Sequence, residues 1–217
     1  MVLGLTWSAR RWMERCSRIP CWLSRLAPGL LLMMAGCARV PEWEAPPGSR
    51  TGASNPIVVE NSKPGSRDWE LSNAATEHEI EGYPSAISVP AGDSLAFHVS
   101  ARSGRFDTRI YRLGWYGGAG ARQILSISGT TAGPRRAPEP RAGDGLVACD
   151  WPVSLSIAIG SDWPTGAYLA RLTDHASGKQ AFVPFIVRDG ADPASRSPYL
   201  LLLNTTTWQA YNDWGGT

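Results

Sequence analysis

Phe106-Asp107-Thr108-Arg109-Ile110-Tyr111-Arg112-Leu113-Gly114-Trp115-Tyr116-Gly117-Gly118-Ala119-Gly120 is the stretch on which the fold turns. Read as one extended strand, it puts Ile110, Arg112, Gly114 and Tyr116 on one face. Tyr111, Leu113 and Trp115 fall on the other. Trp115 is then a core candidate and Tyr116 the better surface aromatic, with a sugar-stacking platform as the functional alternative to core packing for the pair. Gly117-Gly118-Ala119-Gly120 permits a tight reversal, since glycine takes positive φ without steric cost. Residues 123–127 return, so the stretch predicts an antiparallel hairpin.

Similar short runs lie on both sides. Ile57-Val58-Val59-Glu60 predicts an opening strand. Residues 86–89 and 94–100 flank Pro90-Ala91-Gly92-Asp93, a turn built from turn residues. Residues 135–145 are a Pro/Gly loop. Residues 153–159, 167–173 and 180–188 complete the set. Many short strands with Gly/Pro turns and no amphipathic helix predict a mainly β fold, an Ig- or fibronectin III-like β-sandwich over residues 57–189. Trp163-Pro164-Thr165-Gly166-Ala167-Tyr168 agrees, because a Tyr opening a strand after a turn is the layout of a tyrosine corner. Ala170 stands where antibody domains have their second Cys, so the inter-sheet disulfide is not expected.

Outside the sandwich the composition changes. Arg10, Arg11, Arg15, Arg18 and Arg25 precede an apolar stretch over 26–34 that closes on Ala35-Gly36-Cys37. That is the order of an export signal, and its apolar core is shorter than the roughly 20 residues of a membrane-spanning helix. The end resembles a bacterial lipobox, with Met34 in place of the usual Leu; lipid on Cys37 would anchor the chain to the cell envelope. An uncleaved anchor or an ordinary secretory signal are the alternatives. Residues 1–36 are therefore expected to be a lipoprotein signal peptide, 37–56 a flexible tether, and 190–198 a linker.

Removing the leader changes the charge. It holds five of the 21 basic residues and one of the 19 acidic ones, so 16 basic face 18 acidic residues from Cys37 onward, a net −2. The basic balance belongs to the leader and gives no argument for nucleic acid. Cys149 is the one cysteine left once Cys37 carries lipid. It reads as a half-buried apolar side chain rather than a nucleophile. His78 reads as solvated loop and His98 as a side chain on a sheet face.

Tyr199-Leu200-Leu201-Leu202-Leu203 is a continuous apolar run, the pattern of a strand buried on both faces of a parallel sheet. Residues 199–217 are expected to be the first strand and loop of a truncated α/β domain. Tyr211 lies just past that strand's C-terminal end, where open α/β sheets build their sites. It is a candidate hard oxygen ligand for ferric iron; the alternative is packing with Trp208 and Trp214. Asn212, with Asp213 and Gly215-Gly216, either orients a substrate or forms a turn.

Two motifs carry a family resemblance: Tyr111-Arg112-Leu113-Gly114-Trp115-Tyr116-Gly117-Gly118, and Asn204-Thr205-Thr206-Thr207-Trp208-Gln209-Ala210-Tyr211-Asn212-Asp213-Trp214-Gly215-Gly216. Over residues 57–217 the chain resembles the large (β) subunit family of N,N-dimethylformamidase; the leader is not part of the likeness. The resemblance implies a sandwich followed by a glutamine-amidotransferase-like α/β domain that hydrolyses a small amide with iron held by two Tyr and one Glu. It implies Tyr211 as a metal ligand, Asn212, Trp208 and Trp214 as substrate contacts, and a small subunit or second copy as partner. On this reading the chain is the front of a lipid-anchored amide hydrolase, inactive without the rest. The competing readings are a cell-surface Ig-like binding module without catalysis, with Tyr116 as its contact residue, and a degenerate gene product.

Overall fold

A computed structural model of the chain describes residues 55–189 and 202–210. The described part opens with a short helix, α1 (Pro56–Asn61). Eight strands follow: β1 (Ile80–Pro84), β2 (Ser88–Pro90), β3 (Ser94–Ala101), β4 (Arg105–Leu113), β5 (Ala121–Thr131), β6 (Leu155–Ala158), β7 (Gly166–Asp174) and β8 (Gln180–Arg188). A 3-10 turn, Tyr116–Gly118, lies between β4 and β5, and a second short helix, α2 (Thr205–Ala210), follows the sandwich in sequence.

The strands form two sheets. One is antiparallel, in the order β1-β3-β6; the other has five strands in the order β2-β8-β7-β4-β5. β2 pairs in parallel with β8, and the remaining pairs are antiparallel. The side chains that alternate inward from both sheets make the core. Leu95, Phe97 and Val99 come from β3, and Phe106 and Ile110 from β4. Tyr168, Ala170 and Leu172 of β7 meet them, with Val183, Phe185 and Val187 of β8. This is the mainly β sandwich that the strand pattern predicts.

The tyrosine corner is present. The Tyr168 hydroxyl donates to the Pro164 carbonyl at 2.6 Å. The fully buried ring stacks between Trp163 and Phe185, each 5.4 Å away by centroid.

The outer face of the five-stranded sheet is covered as well. A strap running from Lys63 to Ala75 crosses it. Trp69 stacks on Phe182 at 6.4 Å and donates its indole N–H to the Ala119 carbonyl. The Tyr111 hydroxyl donates to Asp68 at 3.1 Å, and Arg171 stands over the Tyr111 ring while bonding the Asp68 carbonyl. Tyr111 is therefore as buried as the residues of the inner face.

Within the sandwich two elements depart from the strand pattern read in the sequence. Residues 57–60 are not a strand. Asn55 caps α1, its side chain accepting from the Ile57 and Val58 amides, and Pro56 sits in the first turn. Cap and proline outweigh the strand preference of the β-branched run. β1 is the second departure. Ile80-Glu81-Gly82-Tyr83-Pro84 carries an acid, a glycine and a proline, so composition does not mark it, yet all five residues are buried.

After the sandwich, Leu202, Leu203 and Asn204 are not in a strand, and Leu202 is 84% exposed. Residues 199–201 lie outside the described residues. The segment that follows is a helix rather than a loop: Asn204 Oδ1 accepts from Thr206 Oγ1 and the Thr207 amide, a capping arrangement that starts α2 despite three threonines.

Candidate functional site

The motif-bearing part of the sandwich is the end where β4 stops. Antiparallel register carries Arg112 opposite Tyr168 of β7, so Arg112 lies on the inner face with Ile110 and is 3% exposed. Its guanidinium donates to the Thr165 carbonyl at 3.0 Å and to the Tyr116 hydroxyl at 2.9 Å. The strand ends at Leu113. Trp115 donates its amide to Asn61 Oδ1 at 2.7 Å, tying the turn to the last residue of α1. Tyr116 takes the unusual φ of 43° and Gly117 follows at 63°. Gly114 is required by proximity: a Cβ there would come within 2.6 Å of Asn61 Oδ1 and 2.8 Å of the Tyr116 ring.

The turn reverses the expected roles of its two aromatics. Trp115 is 72% exposed, and Tyr116 is 3% exposed. Alternation holds only while the backbone is extended. Past Leu113 the chain winds into a 3-10 turn, and the left-handed Tyr116 swings its ring inward. The surface contact assigned to Tyr116 is thereby withdrawn.

Inside, Tyr116 joins a buried polar cluster. Its hydroxyl donates to Glu60 Oε1 at 2.9 Å. Arg122 of β5 donates to the same oxygen at 2.7 Å, and Lys63 Nζ pairs with Glu60 Oε2 at 2.7 Å. Burial would raise the Glu60 carboxyl, but the Lys63 ammonium and the hydrogen bonds from Arg122 and Tyr116 outweigh it and hold the group below its ordinary 4.5. Burial, helped by the Glu60 charge, raises the Tyr116 phenol.

A phenol beside a carboxylate is the donor chemistry of the iron site implied above, so its fit to a metal needs testing. It does not fit. The phenol is held protonated; Glu60 Oε1 already accepts from Arg122 and Tyr116; Oε2, though it makes no hydrogen bond, has the Lys63 ammonium 2.7 Å away; and Arg112 stands over the ring at 6.0 Å. A cation would meet positive charge on every side. Among the described residues, no three His, Cys, Asp or Glu side chains gather as a metal group.

The other sequence candidates divide. Tyr211, Asn212 and Trp214 lie outside the described residues, as does Cys37, and for Trp208 only the backbone, in α2, is described. Cys149 is half-buried, and burial together with the Glu81 and Asp150 charges pushes its thiol up to about 12, against a nucleophilic role. His98 Nδ1 lies 2.6 Å from the Trp151 carbonyl and the ring stacks on Tyr83, a structural role on a sheet face. His78 is exposed, with Nδ1 2.9 Å from Glu81. Among the described residues no helix is long and apolar enough to cross a membrane.

Sequence reasoning missed the Glu60 cluster. One signal was present: alternation places Arg112 on the same face as the aliphatic Ile110, and a guanidinium buried beside it would demand partners. Glu60 was hidden by the strand reading of residues 57–60.

The fold thus defines an immunoglobulin-like β-sandwich whose distinguishing motif is a pinned turn presenting Trp115. The model of the family described as N,N-dimethylformamidase beta subunit-like, C-terminal, matches residues 107–217, and the chain belongs to that family. The match opens inside β4 and contains both motifs, while residues 57–106 stand outside it. No curated protein matches the chain.

Proposed function

We propose that this chain carries the sandwich of an iron-dependent amide hydrolase of the N,N-dimethylformamidase type, exported and held at the cell envelope by lipid on Cys37. The observation that supports this reading is the family match, which runs unbroken through the Trp115 turn and the aromatic segment ending at Thr217. The sandwich is the scaffold. The buried Glu60–Tyr116 pair is committed to fixing a turn, and this reading places the catalytic groups in the part that starts after the linker.

Within that part, Tyr211 is the iron ligand of this reading, and Asn212, Trp208 and Trp214 are its substrate contacts. A small amide is the substrate class, and a small subunit or a second copy the partner. The test is hydrolysis of simple tertiary formamides by the full-length protein, followed as amine release. Release above the protein-free rate supports the reading; none with any small amide contradicts it. The alternative of a surface binding module has lost its contact residue, since replacing Tyr116 would break the Glu60 cluster rather than remove a ligand contact.

A further inference from the structure

One crossing between the two sheets is long. β5 ends at Thr131 in the five-stranded sheet, and β6 begins at Leu155 in the three-stranded one. Residues 132–154 between them hold neither helix nor strand, more than the roughly 12–15 residues of an ordinary connection. Both flanks are tied to the body. The Ala132 amide donates to the Gly104 carbonyl and the Arg135 amide to Ser100 Oγ. The Trp151 indole N–H donates to the Arg136 carbonyl and its amide to the Tyr83 hydroxyl.

Between these ties the tip, among the described residues, bonds only to itself. The Arg141 amide donates to the Leu146 carbonyl, and the Gly145 amide to the Arg141 carbonyl. Asp144 accepts from the Arg141 guanidinium and from the Leu146 amide. Residues 139–145 are all exposed. Opening the tip gives up no core burial and no bond to a sheet, so it lies at the low end of local unfolding free energies. Exposed tips of this kind are where proteases nick folded domains.

The other basic residues of the sandwich are held more firmly. Most lie in strands. The Arg136 carbonyl is engaged by the buried Trp151 ring. Arg102 and Lys179 sit in hairpins stitched to Glu79 and Asp174. Lys63 precedes Pro64, and Arg67 follows Ser66, which is bonded to β5 through both its amide and its hydroxyl.

Topology decides what a cut does. Each strand after the tip is hydrogen-bonded to one before it: β6 to β3, β7 to β4 and β8 to β2. Tyr168, Leu172 and Phe185 from behind the tip share one core with Phe97, Phe106 and Ile110 from ahead of it.

We propose that Arg141–Ala142 is a processing site for an Arg-specific serine endoprotease, and that the sandwich is a clasp of two fragments that stays closed after the cut. Water adds across the peptide bond, leaving a carboxylate on Arg141 and an ammonium on Ala142. The second family motif is then joined to the front of the chain by strand ladders and core rather than by a covalent backbone. This does not rest on iron or on catalysis, so its failure and that of the hydrolase reading are separable.

Brief digestion of the full chain by trypsin in native buffer tests it, read by intact mass and by size exclusion. Within residues 55–189 the first bond cut is expected to be Arg141–Ala142. The two products should elute together in native buffer and separate only in denaturant. Arg141→Gln should abolish this cut and leave the melting temperature unchanged. Asp144→Asn should speed it, because cleavage follows the population of the opened tip and the substitution removes the ion pair that closes it. A first cut at any other bond within residues 55–189 overturns the proposal. So does a cut at Arg141 made only in denaturant that unfolds the whole sandwich, or products that separate in native buffer.

Discussion

A tyrosine hydroxyl and a buried carboxylate show how single residues hold this sandwich. Tyr168 has its ring between Trp163 and Phe185 and its proton on the Pro164 carbonyl. Tyr168→Phe keeps the packing and orphans a carbonyl, so it should cost about 1–3 kcal/mol in denaturant unfolding. An unchanged midpoint would show that the corner bond contributes nothing. Glu60 carries a pH signature. Its folded carboxyl titrates below the ordinary 4.5, so its stabilisation is complete above about pH 4.5 and is lost as pH falls through the lower folded value. Glu60→Gln should destabilise by about 3 kcal/mol at pH 7, on the order of 10 °C in melting temperature. The gap between wild type and variant should narrow as pH drops below 4.5. Asp174 and Glu79, also held low, go on titrating in the variant and serve as the internal control.

At the scale of elements, the turn after β4 is where close approach decides the residue. Gly117→Ala meets open space and pays only for its positive φ, about 1 kcal/mol. Gly114→Ala drives a methyl into Asn61 Oδ1 and the Tyr116 ring and should cost more than twice as much, read as a drop in thermal midpoint. Equal costs would mean that α1 and the turn separate freely. This turn also shows what a sequence can and cannot tell. The reversal at Gly117-Gly118 was legible because glycine there has one structural use. The corner at Tyr168 was legible because Pro, Thr and Gly precede it. The orientation of Trp115 and Tyr116 was not, because period-two reasoning has no way to see that the strand ends at Leu113. α1 was misread because its β-branched residues face solvent, Val58 and Val59 included, while its single acid is buried. The strap contacts of Asp68 and Trp69 join residues some 40 to 110 positions apart and leave no local pattern.

For the whole molecule, family and sandwich were readable because both motifs and the strand spacing are dense in signal. The proposed iron site would draw on residues from Tyr211 onward, and among the described residues no His, Cys, Asp and Glu side chains gather as a metal group. The proposed envelope anchor has its own test. Cys37→Ala should shift the protein from the detergent phase to the aqueous phase of a cloud-point separation and abolish labelling by a fatty-acid probe. Retention in detergent would point to an uncleaved apolar anchor instead.

The most direct measurement is the iron content of the full-length protein after anaerobic purification, with and without Tyr211→Phe. The account predicts iron bound in stoichiometric amount by the wild type and lost from the variant, with the sandwich melting at the same temperature in both. A wild type that binds no iron, or a variant that keeps it, would contradict the assignment of this chain to an iron-dependent hydrolase.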